Sequence, residues 1–216
     1  MKILLTSAGI TNKSLENALR KLVKGKIRIA FIPTAATEDK DPKPWLERNI
    51  KQCRKFGEVE VVDISSMDKK EWLPKLKRAN AIFVGGGDTT YLMNWVWKSG
   101  LGKELPQLLQ RRVYVGISAG SMIVSKEIQG KTEHLYGDES KNPPKGLGFI
   151  NFQIRPHLDS IFFKKIRDNN LANLSKELKG DLYALDDDSA VLYENGRIKI
   201  ISEGHWIKYS RNKLHL

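Results

Sequence analysis

Short apolar runs recur along this chain with amphipathic stretches between them. Lys2–Thr6, Lys26–Ile32, Val59–Ile64 and Ala81–Val84 read as strands, and Lys13–Lys24, Pro44–Phe56 and Lys69–Arg78 as helices. That alternation is the signature of βαβ units and a parallel sheet. Helices at Asp88–Lys98 and Lys103–Gln110 and a strand at Arg111–Val115 continue it. An irregular stretch, Gln129–Gly148, follows, and a loop of that size in a compact domain is usually functional or mobile. Beyond it the pattern predicts a strand at Phe152–Pro156, a helix at Ser160–Lys179 and a strand at Leu182–Leu185. A hairpin over Ala190–Ile201 turns at Asn195-Gly196, a strong hairpin signal. The expectation is an α/β fold with a mostly parallel central sheet, helices flanking it, and a C-terminal β-hairpin.

With 216 residues, 40% hydrophobic and 29% charged, the chain is long enough to bury such a sheet as one domain, 1–216. The start, Met1 to Ser7, turns polar too soon for a signal peptide, and no run reaches the length of a membrane span. One cysteine, Cys53, excludes an intrachain disulfide and a thiolate metal cage, which fits a reducing cytoplasm. The net charge of +12 invites a nucleic-acid partner. Its distribution argues against one, because the cations scatter over helix faces such as Lys21, Lys24, Lys51, Arg54, Lys75 and Arg78 without stacking aromatics between them. Neither a nucleic-acid nor a membrane partner is expected.

Gly116-Ile117-Ser118-Ala119-Gly120 directly follows the strand at Arg111–Val115. A strand, a tight turn with serine at its apex and a helix starting near Ser121 make a nucleophile elbow. Strained backbone at the apex aims the hydroxyl into a cleft, and glycine on either side gives it room. A second turn, Gly85-Gly86-Gly87-Asp88, ends the strand before. Three glycines let the backbone approach a ligand, and their N–H groups can hold negative charge, as a phosphate cradle or as part of an oxyanion hole. The plainer reading is a strand-to-helix turn capped by Asp88.

A serine nucleophile needs a base, and the base a carboxylate to orient it. Of the four histidines, His157 follows Arg155-Pro156 at the end of a strand, on the elbow's side of the parallel sheet if that strand runs parallel. His134 lies in the irregular stretch, His205 in the hairpin region and His215 beside the last residue. The run Leu185-Asp186-Asp187-Asp188-Ser189 ends another strand. It offers a carboxylate for His157, or a solvated turn; a magnesium site fits less well, because adjacent aspartates project in different directions.

Taken together, Gly85 to Thr89, Gly116 to Gly120, Pro156-His157-Leu158-Asp159 and Leu185 to Ala190 resemble the peptidase E and cyanophycinase family of serine peptidases. Its fold is like that of class I glutamine amidotransferases. The resemblance implies Ser118 as nucleophile, His157 as general base, and oxyanion N–H groups from Ala119 and from Gly86 or Gly87. It implies no cofactor and no metal, and a small peptide as substrate. The family's third residue is usually a glutamate, and its motif falls on Asp187. One methylene fewer predicts a backbone shift or a long Asp187–His157 contact. Members that cleave after an N-terminal aspartate carry an arginine where this chain has Phe162, with Arg155, Lys164 or Arg167 as substitutes. Two other readings compete: an α/β-hydrolase esterase using Ser118, Asp187 and His205, and a catalytically silent domain binding a small anion at the two glycine turns.

Overall fold

The computed structural model describes residues 1–38, 41–128 and 144–210. In chain order the elements are β1 (Lys2–Thr6), α1 (Lys13–Leu22), β2 (Ile27–Ile32), α2 (Pro44–Arg54), β3 (Gly57–Val61), α3 (Lys69–Arg78) and β4 (Ala81–Val84). There follow α4 (Thr89–Lys98), α5 (Leu101–Leu108), β5 (Val113–Ile117), α6 (Ala119–Met122), β6 (Gln153–Arg155), α7 (Asp168–Ser175), β7 (Leu182–Leu185), β8 (Ser189–Glu194), β9 (Arg197–Ser202) and β10 (Trp206–Tyr209). A seven-stranded sheet runs β3-β2-β4-β5-β1-β8-β9. Its first five strands are parallel, and the β8–β9 hairpin continues it antiparallel beside β1.

Parallel strands covered on both faces must be apolar throughout, and Ile3-Leu4-Leu5 and Ile82-Phe83-Val84 are. Successive side chains take opposite faces. Ile3, Leu5, Ile82, Val84 and Tyr114 pack with Trp72, Leu76, Leu92, Met93, Val96 and Leu105 from α3, α4 and α5. Leu4, Ile29, Phe31, Phe83 and Val115 meet Leu15 and Leu19 of α1 and Cys53 of α2. The fold is therefore the expected one: a mostly parallel sheet between helix layers, with a hairpin near the C-terminus. Among the described residues no helix is long and apolar enough to cross a membrane.

The second half departs from expectation in two places. The strand carrying His157 does not join the central sheet: β6 pairs parallel with β7, and β7 antiparallel with β10, in a separate three-stranded sheet. Because β8 occupies the edge of β1 opposite the elbow strand β5, β6 cannot pair there. One side of the small sheet, with Ile154, Tyr183 and Leu185, seals the main core, while Leu182 and Ala184 pack on Leu171 and Leu174 of α7. The helix expected from Ser160 begins only at Asp168. Its first part is replaced by an irregular segment whose carbonyls bond to a guanidinium: Arg167 donates to the Ser160, Phe163 and Ile166 oxygens at 3.0, 3.2 and 2.8 Å. Smaller shifts occur at β3, which spans Gly57–Val61 because its register with β2 runs from Ile27↔Gly57 to Phe31↔Val61. Of the irregular stretch at Gln129–Gly148, residues 129–143 lie outside the described residues, as do His134 within them and His215.

Candidate active site

Ser118 sits where β5 ends, with φ 49° and ψ −111°. A side chain in that region costs about 1–3 kcal/mol and persists only when the surroundings enforce it. They do so from both sides. The Ser118 N–H donates to the Thr6 carbonyl at 3.1 Å, and the Ser118 carbonyl accepts from Ser121 and Met122 N–H at 2.8 and 3.1 Å. The turn passes hard against β4, since a Cβ on Gly120 would stand 2.0 Å from the Val84 oxygen. The helix begins at Ala119 rather than Ser121, so the apex is one residue from a helix start. Ser121 is buried and donates its hydroxyl to the Thr6 carbonyl at 2.7 Å.

His157 and Asp187 leave the ends of β6 and β7, which run parallel side by side, and a Leu158 N–H bond to the Leu185 oxygen at 2.9 Å ties the two exits together. His157 Nε2 lies 2.9 Å from Ser118 Oγ, and its Nδ1 lies 2.8 Å from Asp187 Oδ1. The long contact expected from the shorter acid is absent, because the two strand ends are adjacent and the carboxylate has little distance to span. Burial by itself would raise the Asp187 carboxyl, but hydrogen bonds from His157 and Ser7 and the His157 charge outweigh it and hold the group below its ordinary value.

Two neighbours of His157 escape the sequence reading. Ser7, buried just past β1, accepts from the His157 N–H at 2.7 Å and donates to Asp187 Oδ1 at 2.7 Å. Its signal was its place: a small polar residue at the C-terminal end of a strand beside the elbow strand, where α/β sheets gather their sites. Phe163 stacks on the imidazole, with centroids 4.6 Å apart and planes 18° apart. That contact depends on the irregular path after Asp159 and has no local sequence signal.

The other two aspartates of the run do turn work. Asp186 accepts from Asp188 N–H at 3.1 Å, from Ser189 Oγ at 2.5 Å and from His205 N–H. Asp188 accepts at its carbonyl from Asn12 Nδ2 at 2.8 Å. The His205 ring meets Asp159 Oδ2 at 3.2 Å, so the order serine, acid, His205 needed for the esterase reading is not assembled around Ser118.

The glycine turn adjoins the elbow, for a Cβ on Gly86 would lie 3.1 Å from Ser118 Cβ. Gly87 has φ 130°, and a Cβ there would stand 2.0 Å from the Ala35 oxygen, so only glycine fits. The flanking N–H groups are spent: Gly85 on the Ile32 oxygen, Asp88 on the Ala35 oxygen, Ser118 on the Thr6 oxygen. Those of Gly86, Gly87 and Ala119 meet no acceptor among the described residues. Asp88 also caps α4 through the Tyr91 N–H at 2.5 Å, so the plainer reading of this turn holds alongside.

Phe162, at the place of the family's selecting arginine, is exposed beside exposed Ile161. Arg155 is buried within the small sheet and donates to the Gln153 side chain at 2.9 Å. Arg167 is engaged by loop carbonyls, and Lys164 is exposed.

Residues 3–201 match the model of peptidase family S51. An uncharacterized peptidase of Listeria innocua is 27% identical over 180 residues, covering 79% of this chain and 82% of the relative. One of Pasteurella multocida is 27% identical over 184 residues, covering 82% and 86%. A crystal structure of a candidate peptidase E protein from Listeria monocytogenes superposes with a TM-score of 0.76 at 21% identity, covering 94% of this chain and 98% of that one, and so shares the fold. With a family match running almost from end to end, the chain belongs to peptidase family S51 and is a serine peptidase.

Proposed function

We propose that this single domain hydrolyses small peptides through an acyl-enzyme, with Ser118, His157 and Asp187 as its catalytic triad. The observation that carries the reading is the hydrogen-bonded row from Ser118 Oγ to His157 at 2.9 Å and from His157 to Asp187 at 2.8 Å. Asp187 accepts from Nδ1–H, which leaves Nε2 unprotonated and facing the hydroxyl. Ser118 Oγ attacks the scissile carbonyl as its proton passes to His157 Nε2. The oxyanion then lies within reach of N–H groups of Ala119 and of Gly86 or Gly87. The C–N bond breaks, the amine leaves with the proton from His157, and a water activated by the same nitrogen releases the acid.

A fluorophosphonate probe tests the nucleophile. Wild type takes up one equivalent at Ser118 and Ser118→Ala takes up none; labelling of the Ala variant, or none of wild type, overturns the reading. A dipeptide panel with Asp, Ala or Leu at the N-terminus reads the substrate side. Preference for Asp supports selection of an acidic N-terminal residue, and preference for Leu selection of an apolar one.

A further inference from the structure

We propose that Ser7 is a positioning residue for hydrolysis, holding the Asp187 carboxylate and the His157 backbone in one closed ring of hydrogen bonds. The proposal rests on the triad reading above. A hydroxyl has one proton to give and lone pairs to accept with, and Ser7 uses both here. It accepts from the His157 N–H at 2.7 Å and donates to Asp187 Oδ1 at 2.7 Å, and that same oxygen meets His157 Nδ1 at 2.8 Å. With the His157 main chain closing the circuit, the imidazole cannot turn without disturbing the carboxylate.

Three features make this more than local packing. Ser7 is fully buried, so water does not replace its hydroxyl if that is removed. The Asp187 side chain is half exposed, 50%, against 14% for His157. A carboxylate so open to solvent needs a second anchor if a single rotamer is to persist against side-chain entropy. His157 has φ 65°, and its N–H bond to Ser7 holds the chain in a conformation that a bulky residue seldom adopts. The groups facing the carboxylate are His157 from the end of β6 and the neutral Ser7 from the end of β1, with Asp186 and Asp188 beside it in its own turn. Ser7 is therefore the donor from a second element that supports the negative charge.

The test is a graded series, Ser7→Cys and Ser7→Ala, read two ways on folded protein. The first reading is the rate of fluorophosphonate labelling at Ser118. It falls roughly tenfold in Ser7→Ala, the scale of one hydrogen bond to a charged group. Ser7→Cys keeps nearly the volume but gives only a weak S–H donor, so it falls most of the way with the Ala variant. The second reading is the carboxyl titration of Asp187 by carbon NMR, which moves toward higher pH in both variants because an ionised-form hydrogen bond is lost. If Ser7→Cys behaves as wild type in both readings, Ser7 fills space and the proposal is overturned. An unshifted Asp187 titration in Ser7→Ala overturns it as well, whether or not the probe reacts. Wild type that stays unlabelled while the titration shifts removes the triad reading and leaves the Ser7–Asp187 bond standing. Ser7→Cys also serves if Ser7→Ala does not fold.

Discussion

Ser118 Oγ and His157 Nε2 stand 2.9 Å apart on backbones that both carry positive φ, 49° and 65°. Consecutive residues at the end of β1 hold the two: the Thr6 carbonyl accepts from Ser118 N–H, and Ser7 Oγ accepts from His157 N–H. One strand terminus thus fixes two strained residues that arise from different sheets.

Replacing Ser118 with Ala abolishes hydrolysis and probe labelling while the melting temperature holds or rises, since the strained apex loses only a hydroxyl. Ser121→Ala does the reverse. Losing its buried bond to the Thr6 carbonyl costs about 1 kcal/mol of stability, and labelling persists. A dead Ser121→Ala with an active Ser118→Ala would reverse the assignment of the elbow.

Asp187→Ala lowers the rate by roughly 10²- to 10⁴-fold, less than the loss in Ser118→Ala, because triad members act as a unit but the acid is the least demanding of them. Asp187→Glu is also slower than wild type. The Asp187–His157 contact is already 2.8 Å, so an added methylene displaces the imidazole. A Glu variant faster than wild type would show that the observed contact is not the working one.

Gly86→Ala places a methyl 3.1 Å from Ser118 Cβ, tighter than ordinary packing. Labelling slows by roughly 10²-fold, on the scale of losing one oxyanion donor or its alignment, and chemical denaturation changes little. An unaffected rate removes Gly86 from the site and leaves Gly87 and Ala119 as the donors.

Asp187 is depressed below the ordinary value of 3.8 in the folded state. Its ionised form therefore adds stability that is present in full above 3.8 and lost as pH falls through the lower folded value. Urea melts of wild type and Asp187→Asn between neutral pH and pH 2.5 test this. The advantage of wild type shrinks at the acid end, whereas a constant difference would contradict the sign.

Cys53 is buried between α2 and the sheet, and burial pushes its thiol up to about 12. Aromatic disulfide reagents at pH 8 therefore react with it slowly in the native protein and promptly in urea. Fast native reaction would mean that α2 opens readily.

The alternation of apolar runs and amphipathic segments determined the parallel sheet and its helices, because burial on both faces forces a composition that local periodicity reports. The elbow was equally local. Gly116 to Gly120 directly after an apolar strand permits few other geometries, and Asn195-Gly196 turned the hairpin where expected. Only the tertiary structure decided that β6 pairs with β7 instead of the main sheet, because that depends on β8 having taken the edge of β1. The run of three aspartates did not itself distinguish its members, and the resemblance alone pointed to Asp187; the tertiary structure supplies the direction, since Asp186 is drawn into the turn by Ser189 and His205, which leaves the next side chain facing His157. Ser7 joins partners 150 and 180 residues away, a separation at which no local pattern carries information. The segment from Ser160 to Arg167 looked helical until a guanidinium took the carbonyls that a helix would have used.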